Sequence, residues 1–295
     1  MKNRTLNLLL IATAITTLFS YGCKKDRIEK KQLNEYNDVN DYLDTKKQEE
    51  QEFIITGQSN DTIQGNQGTR IAGAKNCLQN SAGDTIDYPY TIKLVELYKP
   101  KDMIYYQMPT VAAGNILETD GEIRLRAFKG TEELTLKPSC PYMIEMPNAA
   151  PETYMNIFYG VDNGVIVDWT DSQVGFGTIP YGYQAFPNTL GWINCDNTIG
   201  NGTGHTLTFT STTDNLQNVG IFVYFTAHKG LMQAYNMTTG LIPDGSDVKI
   251  VMIAIDASGN LFTYQETRNV TASATIDIVL SGTTDPNLTA YLDAL

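Results

Sequence analysis

The chain has 295 residues, with 21 Lys+Arg against 33 Asp+Glu for a net charge of −12, and it carries 17 Tyr, 10 Phe and 2 Trp. That balance disfavours any partner held through phosphate contacts, so no nucleic acid is expected, while the length and apolar content suffice for two real cores. Past the N-terminal segment no apolar run is long enough to cross a bilayer.

Lys2 and Arg4 precede an apolar run over residues 6–19, which closes on Ser20, Tyr21, Gly22 and Cys23. A basic start, a short apolar stretch and a small-residue end make an export signal rather than a membrane span. Ser20-Tyr21-Gly22-Cys23 resembles a bacterial lipobox. The resemblance implies removal of residues 1–22 and a lipid on the sulfur of Cys23. It also implies a protein held by that lipid in the bacterial cell envelope, at the outer membrane, with the membrane itself as a partner.

Residues 23–52 are dense in both charges and poor in branched apolar side chains, so they read as a disordered or partly helical tether. A weak helical stripe of Leu33, Tyr36, Val39 and Leu43 runs through it. From residue 53 the pattern changes to short β-type runs at 53–56, 69–78, 90–98, 122–128, 133–136 and 142–146, separated by Gly, Pro, Asn and Asp. In the run from Glu122 to Ala127 the residues Ile123, Leu125 and Ala127 share one parity and the charges the other, which predicts one buried and one wet face. Over residues 90–98 the phase slips, predicting either a bulge or burial on both faces. Two further strands flank an Asn163-Gly164 turn signal.

Gly65-x-x-Gly68-Thr69-x-Ile71, Leu97-Tyr98, Asp102-Met103-Ile104, Pro109-Thr110, Leu117-Glu118, Gly121-Glu122 and Ala127 together resemble the first domain of a Bacteroidota envelope lipoprotein family. The same phrasing is similar to ZU5-type β-sandwich modules, and Leu190 to Asp196 carries a further echo of it. Residues 171–189, rich in Gly, Pro and aromatics, are expected to link the domains. Strand runs at 205–210, 220–225, 248–255, 261–264 and 275–280 resemble a transthyretin-like sandwich of the carboxypeptidase regulatory type. Asp285, Pro286, Leu288, Tyr291, Leu292 and Leu295 predict a short terminal helix. The expected fold is therefore all-β: two antiparallel β-sandwich domains in tandem, 53–170 and 190–295, with that helix at the end.

No chemistry announces itself. The histidines, His205 and His228, both fall in predicted strands, and G-x-S-x-G, H-E-x-x-H and glycine-rich phosphate loops are absent from the sequence. Cys195 beside Asp196, with His205 nearby in sequence, lacks the positive surroundings that a reactive thiolate needs. Cys77, Cys140 and Cys195 permit one disulfide and one free thiol, in three pairings that spacing does not separate. Asp162, Asp168 and Asp171, flanking the hairpin, are calcium candidates, but they lack the spacing of a dedicated loop and are expected to be solvated. Neither cofactor nor metal is expected. Phe176, Tyr181, Tyr183, Phe186 and Trp192 form the one aromatic concentration. Exposed, these rings would stack on sugars or peptides; buried, they would weld two domains, which is where large rings usually go. The expectation is a non-enzymatic, lipid-anchored binding or structural module whose partner is an envelope protein or glycan. The alternatives are a carbohydrate-binding accessory lipoprotein of a glycan-uptake system and a hydrolase with dispersed carboxylates.

Overall fold

The structure, a computed structural model, describes residues 32–57, 62–162, 167–200 and 202–295. Cys23 and the export signal lie outside the described residues, as does the Asn163-Gly164 turn. What is described is mostly β, in several antiparallel sheets with three short helices, the last at the C-terminus. One two-stranded ladder, Leu207–Thr210 with Ala274–Asp277, departs from the pattern and is parallel.

The central sheet runs in the order Gln51–Ile55, Tyr90–Leu97, Asn115–Lys129, Gly191–Thr198, Asn156–Asp162, Val167–Gly175. Both of its faces are covered. Ile92, Leu94, Ile123 and Leu125 pack against an outer sheet whose strands include Gly182–Ala185, Met143–Pro147 and Arg70–Ala72. Val95, Leu97, Leu117 and Trp192 point the other way, onto Phe222, Tyr224, Val251 and Ile253 of the C-terminal sheet. A third core lies behind that sheet, where Ile221, Val223 and Phe225 meet Leu207, Phe209 and Ile276. Alternation along Gly220–Phe225 thus feeds two cores from one strand. The phase slip at 90–98 has the same cause: the ladder to the next strand is regular, and Val95 and Leu97 are simply buried on the second face.

No domain boundary falls at residues 171–189. Residues 171–189 are not a linker, because Val167–Gly175, Gly177–Ile179 and Gly182–Ala185 are strands paired into the first two sheets. Strand Gly191–Thr198, expected to open the second domain, lies between two strands of the first. The glycines and prolines of residues 171–189 mark tight turns between short strands, which look like a linker when pairing is unknown.

Residues 34–52 are likewise part of the body rather than a tether, since Asn34–Leu295 forms one unit. Helix α1 (Val39–Asp44) is capped by Asp38, whose carboxylate accepts from the Asn40 N–H, and it buries Val39, Tyr42 and Leu43. Tyr36 donates to Asp214 at 2.7 Å and Asn34 to the same oxygen at 3.0 Å. The helix exposes Asn40, Asp41 and Asp44 and lies in a segment dense in charge, so composition alone reads it as solvated. Helix α2 (Pro100–Tyr106) and helix α3 (Asp285–Asp293) complete the middle core with Met103, Ile104, Leu288 and Leu292. The N-cap of α3 is Thr284, with Asp285 and Pro286 in the first turn.

The lipoprotein-like motif has a physical explanation. Glu96 is fully buried, and its carboxylate accepts from the Thr69 N–H at 2.8 Å, the Gln67 N–H at 2.9 Å and Gln51 Nε2 at 2.8 Å. The turn from Gly65 to Thr69 wraps that carboxylate so closely that a Cβ at Gly65 would lie 2.4 Å from it. Cys77 and Cys140 are joined by a disulfide, and Cys195 is free and buried.

Candidate functional site

The aromatic concentration of the sequence is structural. Phe176 and Tyr183 meet edge to face at 5.8 Å in the core between the outer and central sheets. The Tyr183 hydroxyl donates to Asp120 at 2.5 Å, and burial together with that bond pushes its pKa up. Tyr181 donates to the Gly68 carbonyl at 2.6 Å beneath the Arg70 guanidinium, which lies 3.6 Å from the ring centroid. Trp192, 9% exposed, packs edge-on to Tyr106 with Arg124 at 5.4 Å. Phe186, by contrast, is exposed. The rings are thus divided among the core and two sides of the sheets, and they do not converge on one binding surface.

The calcium candidates do not converge either. Asp168 and Asp171 are three apart on one strand and so face opposite ways. Asp168 accepts from the Ala113 and Trp169 N–H groups, and Asp171 from Gln173. The side chain of Asp162 lies outside the described residues. Among the described residues no three His, Cys, Asp or Glu side chains are grouped to hold a metal ion. His205 pairs with Asp244 rather than with Cys195, and His228 sits in a turn rather than a strand. Burial pushes the Cys195 thiol up, followed by the charge of Asp196.

A second acidic cluster is buried, and it joins Glu122 to Asn194 and Asp196, which the sequence places in a crowded polar run with Asn197. Asn194 donates to Glu122 at 3.5 Å and to Asp196 at 2.6 Å, and accepts from the Thr119 hydroxyl at 3.0 Å. Both acids are 0% exposed, and Glu122 Oε2 and Asp196 Oδ1 have no hydrogen-bond partner among the described residues. Burial, then the charge of Asp196, raises the Glu122 pKa well above the carboxylate range; burial likewise raises that of Asp196. A β-bulge assembles this cluster. Opposite Asn194 stands Glu122 but opposite Asp196 stands Thr119, so the long strand spends an extra residue there, at Asp120-Gly121. Gly121 has φ +127°, and the Tyr98 ring occupies the place of any Cβ. Thr119 and Glu122, of opposite parity, therefore reach the same amide.

The feature best suited to hold a ligand was not singled out in the sequence. A groove of about 650 Å³ opens between α1, the C-terminal end of α2 and the turn at Tyr235, Asn236, Met237 and Thr238. The Thr238 N–H closes that turn on the Tyr235 carbonyl at 3.2 Å. Asn236 and Met237 both lie in the left-handed region, at φ +52° and +60°. This is the geometry of a primed hairpin turn, and a methionine held in it is strained. Tyr235 is 39% exposed and Met237 38%. The side chains of Gln107, Gln217 and Asn236, all on the groove wall, make no hydrogen bond to a described residue. Lys47, the cation of the lining, is paired with Asp44 at 2.7 Å. Tyr106 closes one end, its phenol pushed up to about 12 by burial and so neutral. A second hollow of about 210 Å³ adjoins the groove through Gln233 and Tyr235. The available signal was an asparagine-containing four-residue turn carrying a tyrosine between two strands.

Compared with known proteins, the chain matches no family model, no curated protein and no solved structure. Any functional reading therefore rests on its own residues.

Proposed function

We propose that this chain is a lipid-anchored protein of the bacterial cell envelope, held by Cys23 at the outer membrane, that acts as a non-catalytic binding module through the Tyr235 groove. The observation that carries the binding role is the set of amide side chains and the tyrosine face directed into an open groove without protein partners. Exposed or half-exposed amides without protein partners are solvated, and a polar ligand replaces that water with direct hydrogen bonds of its own. The lipobox-like Ser20-Tyr21-Gly22-Cys23 supports the anchor. The body takes in residues 34–52, so a long reach is no part of the proposal. The ZU5-like and transthyretin-like relationship is proposed on the sequence motifs alone. Catalysis by paired carboxylates is disfavoured as a reading, since Glu122 and Asp196 lie fully buried and line neither the groove nor its adjoining hollow.

The test uses the full chain in its membrane. Cys23→Ser is expected to release it or leave it unprocessed, and normal processing with an unchanged membrane fraction would sink the anchor. Tyr235→Ala is expected to abolish capture of envelope material while leaving the melting temperature within a degree or two. Undiminished capture by that variant would remove the groove from the proposal.

A further inference from the structure

The geometry points to a neutral oligosaccharide carrying a 2-acetamido group as the ligand of the Tyr235 groove. This rests on the groove being the ligand site and adds the chemical class of what enters it. Three features select that class.

Charge is the first. Asp38 and Asp44 line the groove, its one lysine is already paired with Asp44, and Asp168 lines the adjoining hollow. An anionic ligand would meet carboxylates with no free cation to hold it, so phosphates and acidic sugars are disfavoured. The free amides of Gln107, Gln217 and Asn236 offer donors and acceptors together, which matches hydroxyl groups that also do both.

The second feature is the ring at the junction. Tyr235 lines both spaces, with its hydroxyl donating to Gln233 at 3.2 Å and its ring partly exposed. A pyranose presents an apolar C–H face and an edge of hydroxyls, and an aromatic ring flanked by amides is complementary to both.

The third is the hollow itself, which separates one sugar from another. Its wall is made by Pro109, Val111 and Met232, with Gly240 contributing no side chain, so it takes a small apolar group. Two polar groups meet there. Asp168 uses Oδ1 for the Ala113 and Trp169 N–H groups, and its Oδ2 receives no hydrogen bond from a described residue. Gln233 uses its oxygen for Tyr235, which leaves its Nε2 donor. An acetamido group has a methyl for the apolar wall, an N–H for the Asp168 carboxylate and a carbonyl for the Gln233 amide. A plain hydroxyl at the same carbon would satisfy one of the three. The groove's 650 Å³ is in the range that holds a ligand larger than a single sugar, so an oligosaccharide is expected to fill it.

The test is calorimetric titration of the full chain in detergent with N,N′,N″-triacetylchitotriose and, separately, with cellotriose, which has the same linkage without acetamido groups. The acetylated trimer is expected to bind at least about tenfold more tightly. Tyr235→Ala should weaken both sugars, whereas Asp168→Asn, which keeps the Oδ1 acceptor, should weaken the acetylated trimer about tenfold and cellotriose little. Equal binding of the two trimers overturns the acetamido assignment while leaving the groove a saccharide site. Binding of neither, with capture of envelope material still lost in Tyr235→Ala, overturns the saccharide class and spares the binding role. Binding undisturbed by Tyr235→Ala overturns the placement and the functional reading together.

Discussion

Two carboxylic acids buried side by side contribute a stability that falls as pH rises. Glu122 and Asp196 share the Asn194 amide, and each keeps one oxygen without a partner among the described residues. Their folded pKa values are raised, so below about pH 4 the acids are protonated in folded and unfolded chains alike and their contribution is fully present. As pH rises past that point the unfolded chain ionises first, and stability falls by up to about 1.4 kcal/mol per pH unit for each group until the folded pKa is reached. Asp196→Asn removes one such group while keeping its shape. We expect a higher melting temperature at pH 8 than the parent and a flatter profile between pH 5 and 8; superimposable profiles would contradict the assignment. Sequence reading placed Glu122 on a wet face, because alternation from Ile123 to Ala127 shows which residues share a side but not what covers the other side. The bulge at Gly121 was equally hidden, since a glycine in a strand pattern signals several irregularities without choosing among them.

At the scale of elements, α1 is the piece whose weight was least legible. Leu43 is 0% exposed and packs with Val39 and Tyr42 into the middle core. Tyr42 donates to Asp285 at the start of α3, and Lys46 pairs with the same carboxylate at 2.5 Å. Leu43→Ala is therefore expected to cost about 2–5 kcal/mol, as buried leucine truncations do. Denaturant titration of the full chain checks this, and a loss below about 0.5 kcal/mol, the level of surface changes, would return the segment to the status of a tether. The stripe of Tyr36, Val39 and Leu43 was visible in the sequence. Its burial was not, because a six-residue helix is unstable alone and only its tertiary contacts hold it. Strands with strong alternation, the terminal helix and the short-strand rhythm were legible for the opposite reason: local pattern and tertiary environment agree there.

For the whole molecule, the middle core decides behaviour. Tandem sandwiches joined by a linker would unfold separately, whereas here the central and C-terminal sheets share Trp192, Phe222, Tyr224 and Val251 in one cluster. Trp192→Ala should cost about 3–5 kcal/mol and shift the unfolding of both halves together in calorimetry. Two transitions, with the one assigned to residues 220–283 unmoved, would show that the halves are independent. Aromatic composition could not reveal this, since a ring that welds sheets and a ring that binds sugar are the same residue until its neighbours are known. The groove was missed for a related reason: Tyr235 and α1 are far apart in sequence, and only tertiary packing puts them on one groove.

The claim on which the functional account depends is that this groove is where the ligand binds. Hydrogen exchange of the full chain, with and without a soluble extract of bacterial cell envelope, reports on that directly. We predict added protection at the segments that line the groove, 38–47, 106–107, 216–221 and 233–237, with the strands of the outer sheet unchanged. Protection over residues 176–186 instead, with none at 233–238, would contradict it.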